Sequence, residues 1–423
     1  MNTLHLVHGS PLIDPDAGGT ERYVHAIASQ TGAGVVAPDL RTGQTSQIPA
    51  PYPLWSVGIK SDERPIFKDT WLNPRFEAGF EMILDKTPPD LVHIHHFAHV
   101  GLNVASILRQ RRIPYIVTLH DHHLMCVRGQ LLNRKMERCE GPSKERCPQC
   151  ISEHLAASKN LHKAANLAKV LGVRHIARRF FEKRAPSEKG IDSWLERNRS
   201  AREALGGAMK IISPSIHLAK RFQGYGFEVT VQDLPLLNPI ERRPAPKDNK
   251  TRLLFVGSLI PSKGPQVLLE AMARLPDCSL SLWGPVLPYD GRPGWENEIR
   301  RKIDSTPNAQ YMGSFSDKQR SSVYSEAHIL IVPSIWEENS PLIVREGLTA
   351  GLHIIGTLGG GVGEIDPKAT LIPHDDVDAL CVAIKAKRKS STKRRTDHKE
   401  WSIENHTRDL DAHYAEAMRE IKG

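Results

Sequence analysis

The chain has 423 residues, 39% hydrophobic and 6% aromatic, with 57 lysines and arginines against 48 acidic residues for a net charge of +9. That length suits two domains of about 150 to 240 residues in place of one core, no apolar run reaches the ~20 residues of a membrane-spanning helix, and the first residues lack the apolar segment of a secretory leader, so a cytoplasmic location is expected. Lysine and arginine bind phosphate backbones without sequence preference, but no recognisable nucleic-acid module accompanies them, so nucleic acid is excluded as the partner.

In chain order, the first dense chemistry is histidine, of which there are 20 in all. His93 and His95 alternate within a strand and share a face, while His96 points the other way. With His99, His120, His122 and His123 they read as cleft-lining or hydrogen-bonded side chains ahead of a catalytic metal centre. Cys126, Cys139, Cys147 and Cys150 follow, the last two as Cys-Pro-Gln-Cys, with twelve and seven residues in the earlier intervals. Four thiolates can close a tetrahedral zinc site with no open position, although these intervals are not those of a zinc ribbon, and reduced thiols are the alternative. Cys278 and Cys381 fall in helix or strand patterns and are expected in the core.

Arg174 to Arg184 mixes cations with Ile176, Phe180 and Phe181, as an interfacial helix does on an anionic membrane; a solvated helix packed on its own domain is the other reading. Residues 239–250 are proline-rich, charged and aperiodic, which marks a domain boundary. Before it strands alternate with helical patterns, and after it the alternation restarts at Leu253. Two such units imply two doubly wound parallel sheets with a ligand held at the carboxyl ends of their strands.

In the second unit an apolar strand from Leu253 ends at Gly257, and a polar loop with Lys263-Gly264 leads into a helical pattern from Pro265 to Leu275. Gly257 lets a ligand approach the backbone, and Lys263 places a point charge where a diphosphate would be neutralised. His328 to Val332 is a buried-strand run, Pro333, Asn339, Ser340 and Pro341 turn the chain, and Leu342 to Ala350 has helical periodicity. A helix starting near Pro341 points its free N–H groups and positive dipole end into the cleft, where anions bind. Glu338 stands at its start and Glu346 about two turns later near the same face. Two such carboxylates can hold a sugar ring and a ribose while amides hold the phosphates between them. Leu358 to Glu364 is a glycine loop whose successive N–H groups form an anion-binding concavity. Lys385 to Arg395 lacks aromatics and reads as a solvated linker. A tail from His398 carries Trp401, Ile403, Leu410, Tyr414 and Met418 as its apolar positions.

These residues resemble a retaining glycosyltransferase of family 4, with the two-domain GT-B fold, over nearly the whole chain. Leu4 to Pro11 followed by Gly18-Gly-Thr-Glu21 resembles the family's first strand and glycine-rich loop. Pro89 to His95 and Val117 to Asp121 resemble two further strands, the second ending at the cleft with a histidine, and Ile212 to Ser215 and Leu237 to Ile240 resemble the approach to the linker. The Glu-x7-Glu spacing of Glu338 and Glu346 is the most specific mark. Asp14-Pro-Asp16 has the metal-binding form of the other major glycosyltransferase fold and is assigned no catalytic metal.

The resemblance implies residues 1–245 as an acceptor-side domain with a cysteine-rich insertion at 126–150, residues 246–397 as the nucleotide-sugar domain, and 398–423 as a helix returning to the first. It implies Glu338, His120 and Lys263 as catalytic residues: Glu338 on hydroxyls of the transferred sugar, His120 near the reacting carbon or the sugar hydroxyls, Lys263 on the diphosphate. Glu346 would hold the donor ribose, Gly19 would close over the phosphates, and Gly257, Ser258, Asn339, Ser340, Pro341 and Leu342 would complete the donor site. Ser258 stands where the family usually has arginine, so one cationic group of the clamp is missing. The implied activity moves a hexosyl-type sugar from a nucleoside-diphosphate sugar to a glycan or lipid-linked acceptor in cell-surface polysaccharide synthesis, without a catalytic cofactor. With Arg174–Arg184 it would work on the inner face of the plasma membrane. A non-catalytic nucleotide-sugar or glycan-binding protein on the same scaffold is the alternative.

Overall fold

The computed structural model describes residues 1–60, 67–133, 135–151, 188–238, 240, 250–289, 292–387 and 401–422. Strands β1 (Thr3–Leu6), β2 (Gly34–Asp39), β3 (Ser46–Ile48), β4 (Leu54–Gly58), β5 (Leu91–Ile94), β6 (Tyr115–Thr118), β7 (Lys210–Ser213) and β8 (Thr230–Val231) form one sheet in the order β3-β4-β2-β1-β5-β6-β7-β8. It is parallel except for β3, antiparallel to β4 at one edge. Strands β9 (Thr251–Val256), β10 (Cys278–Trp283), β11 (Ala309–Gly313), β12 (Ile329–Val332), β13 (His353–Thr357) and β14 (Thr370–Ile372) form a second, wholly parallel sheet in the order β11-β10-β9-β12-β13-β14.

Helices cover both faces of each sheet, which is why strands such as Ile329-Leu-Ile-Val332 are buried at every position. Alternation divides each core in two. Leu253, Phe255 and Ile331 pack on one face of the second sheet, while Leu254, Val256 and Leu330 pack on the other. Strand order reverses between β1 and β5 in the first sheet and between β9 and β12 in the second. At such switch points the following loops diverge and leave a crevice beyond the strand ends. The loops after β9 and β12 touch so closely there that a Cβ on Gly264 would lie 1.9 Å from the Pro333 carbonyl oxygen, at a φ of +73° that favours glycine.

The last helix, Ile403–Lys422, lies on the first sheet, with Leu410, Tyr414 and Ala417 buried beside Tyr23, Ile27 and Ile116. Trp401, just before it, packs with the core of the second unit, under the Arg345 guanidinium at 5.4 Å. The cysteine-bearing segment, expected as an insertion in the first unit, also reaches the second. Leu132 is 2% exposed within the second unit's core and Met136 packs against it, while Tyr289 donates a hydrogen bond to Gln130 (2.9 Å). That segment bridges the two sheets.

No helix among the described residues is long and apolar enough to cross a membrane. The basic stretch Arg174–Arg184 lies outside the described residues, as do residues 388–395 of the second basic stretch, whose Lys385 and Lys387 end the helix Val377–Lys387.

Candidate active site

The loop after β12 carries Glu338 to the switch point of the second sheet, where it is 4% exposed. A buried carboxylate needs donors, and this one has four: Lys263 Nζ reaches both oxygens (2.7 and 3.0 Å), and Trp336 Nε1 (3.0 Å) and the Ser334 hydroxyl add two more. Lys263 also lies 5.2 Å over the Trp336 ring. An ammonium has three N–H groups, so Lys263 keeps one for a further acceptor. The two predicted catalytic residues of this unit are therefore one ion pair. Gly257 (φ +144°) and the half-buried Ser258 open the loop leading to it.

Pro341 caps the helix Leu342–Thr349, with no side chain capping its first N–H groups. On its inner face Glu346 is 5% exposed and accepts from Arg320 Nη1 (2.6 Å) and from the Tyr324 hydroxyl. Burial raises its carboxyl above the ordinary value, with Arg320 pulling the other way. Arg320 and Tyr324, four residues apart on the helix Asp317–Ser325, went unread in the sequence, where only their helical spacing could have signalled them. One protein donor per oxygen leaves each oxygen of Glu346 a second lone pair.

From the other side, the helix Gly19–Thr31 begins against the same helix start, and a Cβ on Gly19 would stand 3.5 Å from Leu342 Cδ1. Two helix N-termini thus converge, one from each sheet. Behind Gly19, Glu21 pairs with His8 at 3.1 Å. Burial opposes the Glu21 charge, but His8 prevails and lowers its pKa to about 2. His120 follows β6, and burial, with His96 and His8 nearby, lowers its pKa to about 3.

The side chains of Asn339 and Ser340 are engaged with other groups of the chain. Asn339 Nδ2 donates to the carbonyls of His120 (3.0 Å) and Leu119 (3.3 Å), and its Oδ1 accepts from the Ser215 hydroxyl at 2.5 Å. Ser340 accepts from Arg345 Nη1 (3.0 Å), and Arg345, fully buried, pairs with Asp233. The Asn339 to Leu342 turn is thereby bolted to the first unit. Beside it Glu337 accepts from His217 Nε2 (2.7 Å), Arg221 Nη2 (2.6 Å) and Arg138. Although burial opposes its charge, His217 and Arg221 hold its carboxyl far below the usual range. Glu364, from the glycine loop, accepts the amides of Ile216 and His217 at 2.7 Å each, which caps the helix Ile216–Gly224 with a carboxylate. None of these cross-contacts was anticipated, because their partners lie more than 100 residues apart in the chain.

Acid should loosen this arrangement. Burial depresses the His5, His122 and His406 pKa values from 6.5 to about 4. Between those values the unfolded chain binds protons that the folded one refuses, so stability is lost as pH falls from 6.5 to 4. Glu21, depressed from 4.5 to about 2, withdraws its contribution below that. The melting temperature is expected to fall continuously from pH 7 to pH 4; a flat profile would contradict the neutral buried histidines.

None of the four clustered cysteines forms a disulfide. Burial raises the Cys126 thiol to about 11, with Cys150 and Cys147 among the neighbours acting on it, and Cys147 is raised by burial with Cys139 and Cys150 contributing. Cys278 and Cys381 are buried in the second unit. The described ligand groups drawn within 4.8 Å of one another are His5–His93–His95 and His122–His217–Glu337, without cysteine. Asp14 and Asp16 are exposed, and the Asp14 side chain accepts the Asp16 amide (3.0 Å).

Residues 17–232 match the model of Glycosyltransferase Family 4, and residues 250–387 match that of Glycosyl transferases group 1. The chain is 25% identical over 385 residues to a D-inositol 3-phosphate glycosyltransferase of Rhodococcus erythropolis, covering 84% of this chain and 75% of that protein. It is 28% identical over 124 residues to a lipopolysaccharide 1,2-N-acetylglucosaminetransferase of Salmonella typhimurium, covering 28% of this chain and 32% of that one. In fold it is similar to sucrose-phosphate synthase of Thermosynechococcus elongatus (TM-score 0.66, 17% identity, covering 99% of this chain and 100% of that one). It is also similar to Anabaena HepE in complex with UDP-glucose (TM-score 0.63, 15% identity, covering 98% and 100%). With a family model spanning half its length and two facing parallel sheets of the GT-B type, the chain belongs to glycosyltransferase family 4.

Proposed function

We propose that this chain transfers a sugar from a nucleoside-diphosphate sugar, with retention of anomeric configuration and without a catalytic metal, to a glycan or lipid-linked saccharide in cell-surface polysaccharide synthesis. The observation that carries this reading is the helix Leu342–Thr349, with an uncapped N-terminus, the Lys263–Glu338 pair ahead of it and Glu346 on its inner face. Glu346 takes the ribose hydroxyls on its remaining lone pairs. The free N–H groups at Leu342 and Gly19, with the third N–H of Lys263, meet the charge that develops on the departing diphosphate. Glu338 faces the oxocarbenium-like sugar, and His120 contacts its hydroxyls from the other wall. The acceptor enters from the first unit, and the contacts of Glu337, Glu364 and Asn339 hold the walls together so that water does not compete.

The reading is supported by the UDP-glucose complex of Anabaena HepE and by the activities of the two relatives, one acting on an inositol phosphate and one on lipopolysaccharide. It places the enzyme in the cytoplasm, with Arg174–Arg184 on the anionic inner face of the plasma membrane. The test is product analysis by NMR after incubation with UDP-, GDP- and ADP-sugars and a glycan acceptor. A product keeping the donor's anomeric configuration at a rate unchanged by EDTA agrees; inversion or EDTA sensitivity refutes that part of the reading. Ser258 in place of arginine favours the second reading, a binding protein, which nucleotide-sugar binding without turnover would establish.

Cys126, Cys139, Cys147 and Cys150 are proposed to hold a structural zinc. Four thiols are the right donor set, but the sulfurs would have to draw to ~3.8 Å from one another for Zn–S bonds of about 2.3 Å. Elemental analysis is expected to find one zinc per chain, lost in Cys147→Ser, and chelation is expected to lower the melting temperature by about 5 °C or more. Metal-free protein of unchanged stability would rule the site out.

A further inference from the structure

Three histidines from adjacent strands of the first sheet line up toward the cleft. His5 on β1 places Nδ1 2.9 Å from His95 Nε2, just past β5, and His95 Nδ1 lies 3.3 Å from His120 Nε2, just past β6. His5 and His95 are 2% and 1% exposed. His93 fixes the row from the side: its ring lies 4.0 Å from that of His95, and its nitrogens are taken by the Tyr414 hydroxyl and the Thr118 hydroxyl, both at 2.7 Å.

Burial keeps all three rings neutral near pH 7, with His5 lowered to about 4, His120 to about 3 and His95 well below its usual value. A neutral imidazole has one N–H and one bare nitrogen. Each contact in the row needs one donor and one acceptor, so two arrangements satisfy both. Either all three rings carry the proton on Nδ1, and it is donated from His5 toward His120, or all three carry it on Nε2, and donation runs the other way. The choice at His5 is thus transmitted to the free Nδ1 of His120, which offers a proton in the first arrangement and a lone pair in the second.

We propose that His95 is a positioning residue that fixes the tautomer of His120, and so decides whether His120 Nδ1 donates to or accepts from a hydroxyl of the bound sugar. This rests on the proposed contact of His120 with the sugar, while the relay itself can be read without any transfer reaction. In the full-length protein labelled with 15N-histidine, with resonances assigned by single substitutions, the wild type is expected to show His5, His95 and His120 as one shared tautomer. Opposite tautomers at His95 and His120 would overturn the proposal.

His95→Leu breaks the row, so His120 is expected to become a tautomer mixture and kcat to fall about 10-fold or more, with the donor KM within about twofold of wild type. His95→Gln, which has both a donor and an acceptor, is expected to recover kcat to within about threefold. A folded His95→Leu protein with unchanged kcat and an unchanged His120 tautomer would overturn the proposal. Should that variant not fold, the wild-type spectrum and His95→Gln decide it. Full transfer activity in His120→Ala would overturn the sugar contact of His120, and with it the catalytic part of the proposal, whatever the spectrum shows of the relay.

Discussion

Replacing Glu346 with glutamine is expected to weaken binding of the donor nucleotide by about 100-fold or more and to destabilise the fold by on the order of 3 kcal/mol. The first effect follows from the carboxylate's remaining lone pairs: hydrogen bonds to a charged acceptor are each worth about 1.5–3 kcal/mol, and a ribose offers two hydroxyls. The second follows from Arg320, whose side chain is 10% exposed and whose buried partner is Glu346 at 2.6 Å. Asp317 still pairs with Arg320 at 2.6 Å but is itself 64% exposed, so it compensates in part. Calorimetry of nucleotide binding with thermal unfolding of the same variant separates the two losses. Unchanged affinity in a destabilised protein would reduce Glu346 to a structural ion pair.

Glu338→Gln and Lys263→Ala are expected to lower kcat by about 100- to 1,000-fold each, with much smaller changes in the donor KM for Glu338→Gln. The pair is pre-organised. Trp336, Ser334 and Lys263 fix both oxygens of Glu338, so in the proposed role its charge would meet the reacting sugar without reorganising. Lys263→Ala does two things at once: it removes the cation proposed to meet the diphosphate, and it leaves Glu338 buried without its counter-charge. The double variant should therefore be far less impaired than the product of the two single effects. Independent, multiplying effects in a double-mutant cycle would contradict their action as one unit.

The second unit was legible because its chemistry is local. Gly257, Lys263, Glu338 and Glu346 sit within short strand–loop–helix turns, where periodicity and spacing alone bring them to one edge of a sheet. What lies across the cleft was not legible. Glu337 meets Arg221 from 116 residues away and Arg138 from 199, and a sequence gives no measure of which surface cation a given acid will reach. Asn339 shows the same limit differently. Its place in the turn was readable, but its amide is committed to the carbonyls of Leu119 and His120, a use that appears only once two sheets face each other. The cysteine-bearing segment was read by its thiols, and its docking through Leu132 into the second core left no mark on spacing. The tail divides between the two units, Trp401 packing with the core of the second and Tyr414 with that of the first.

The central claim is that the crevice around Glu338 and Glu346 binds a nucleoside-diphosphate sugar. The most direct measurement is thermal unfolding of the wild type and Glu346→Gln against UDP, GDP, ADP and their sugar conjugates, with and without EDTA. Stabilisation of about 2.7 kcal/mol is expected at a hundredfold excess over the wild-type Kd, for one nucleotide family and independent of EDTA, falling to about 0.4 kcal/mol or less in Glu346→Gln at the same concentration. No stabilisation of the wild type by any of these ligands would contradict the account.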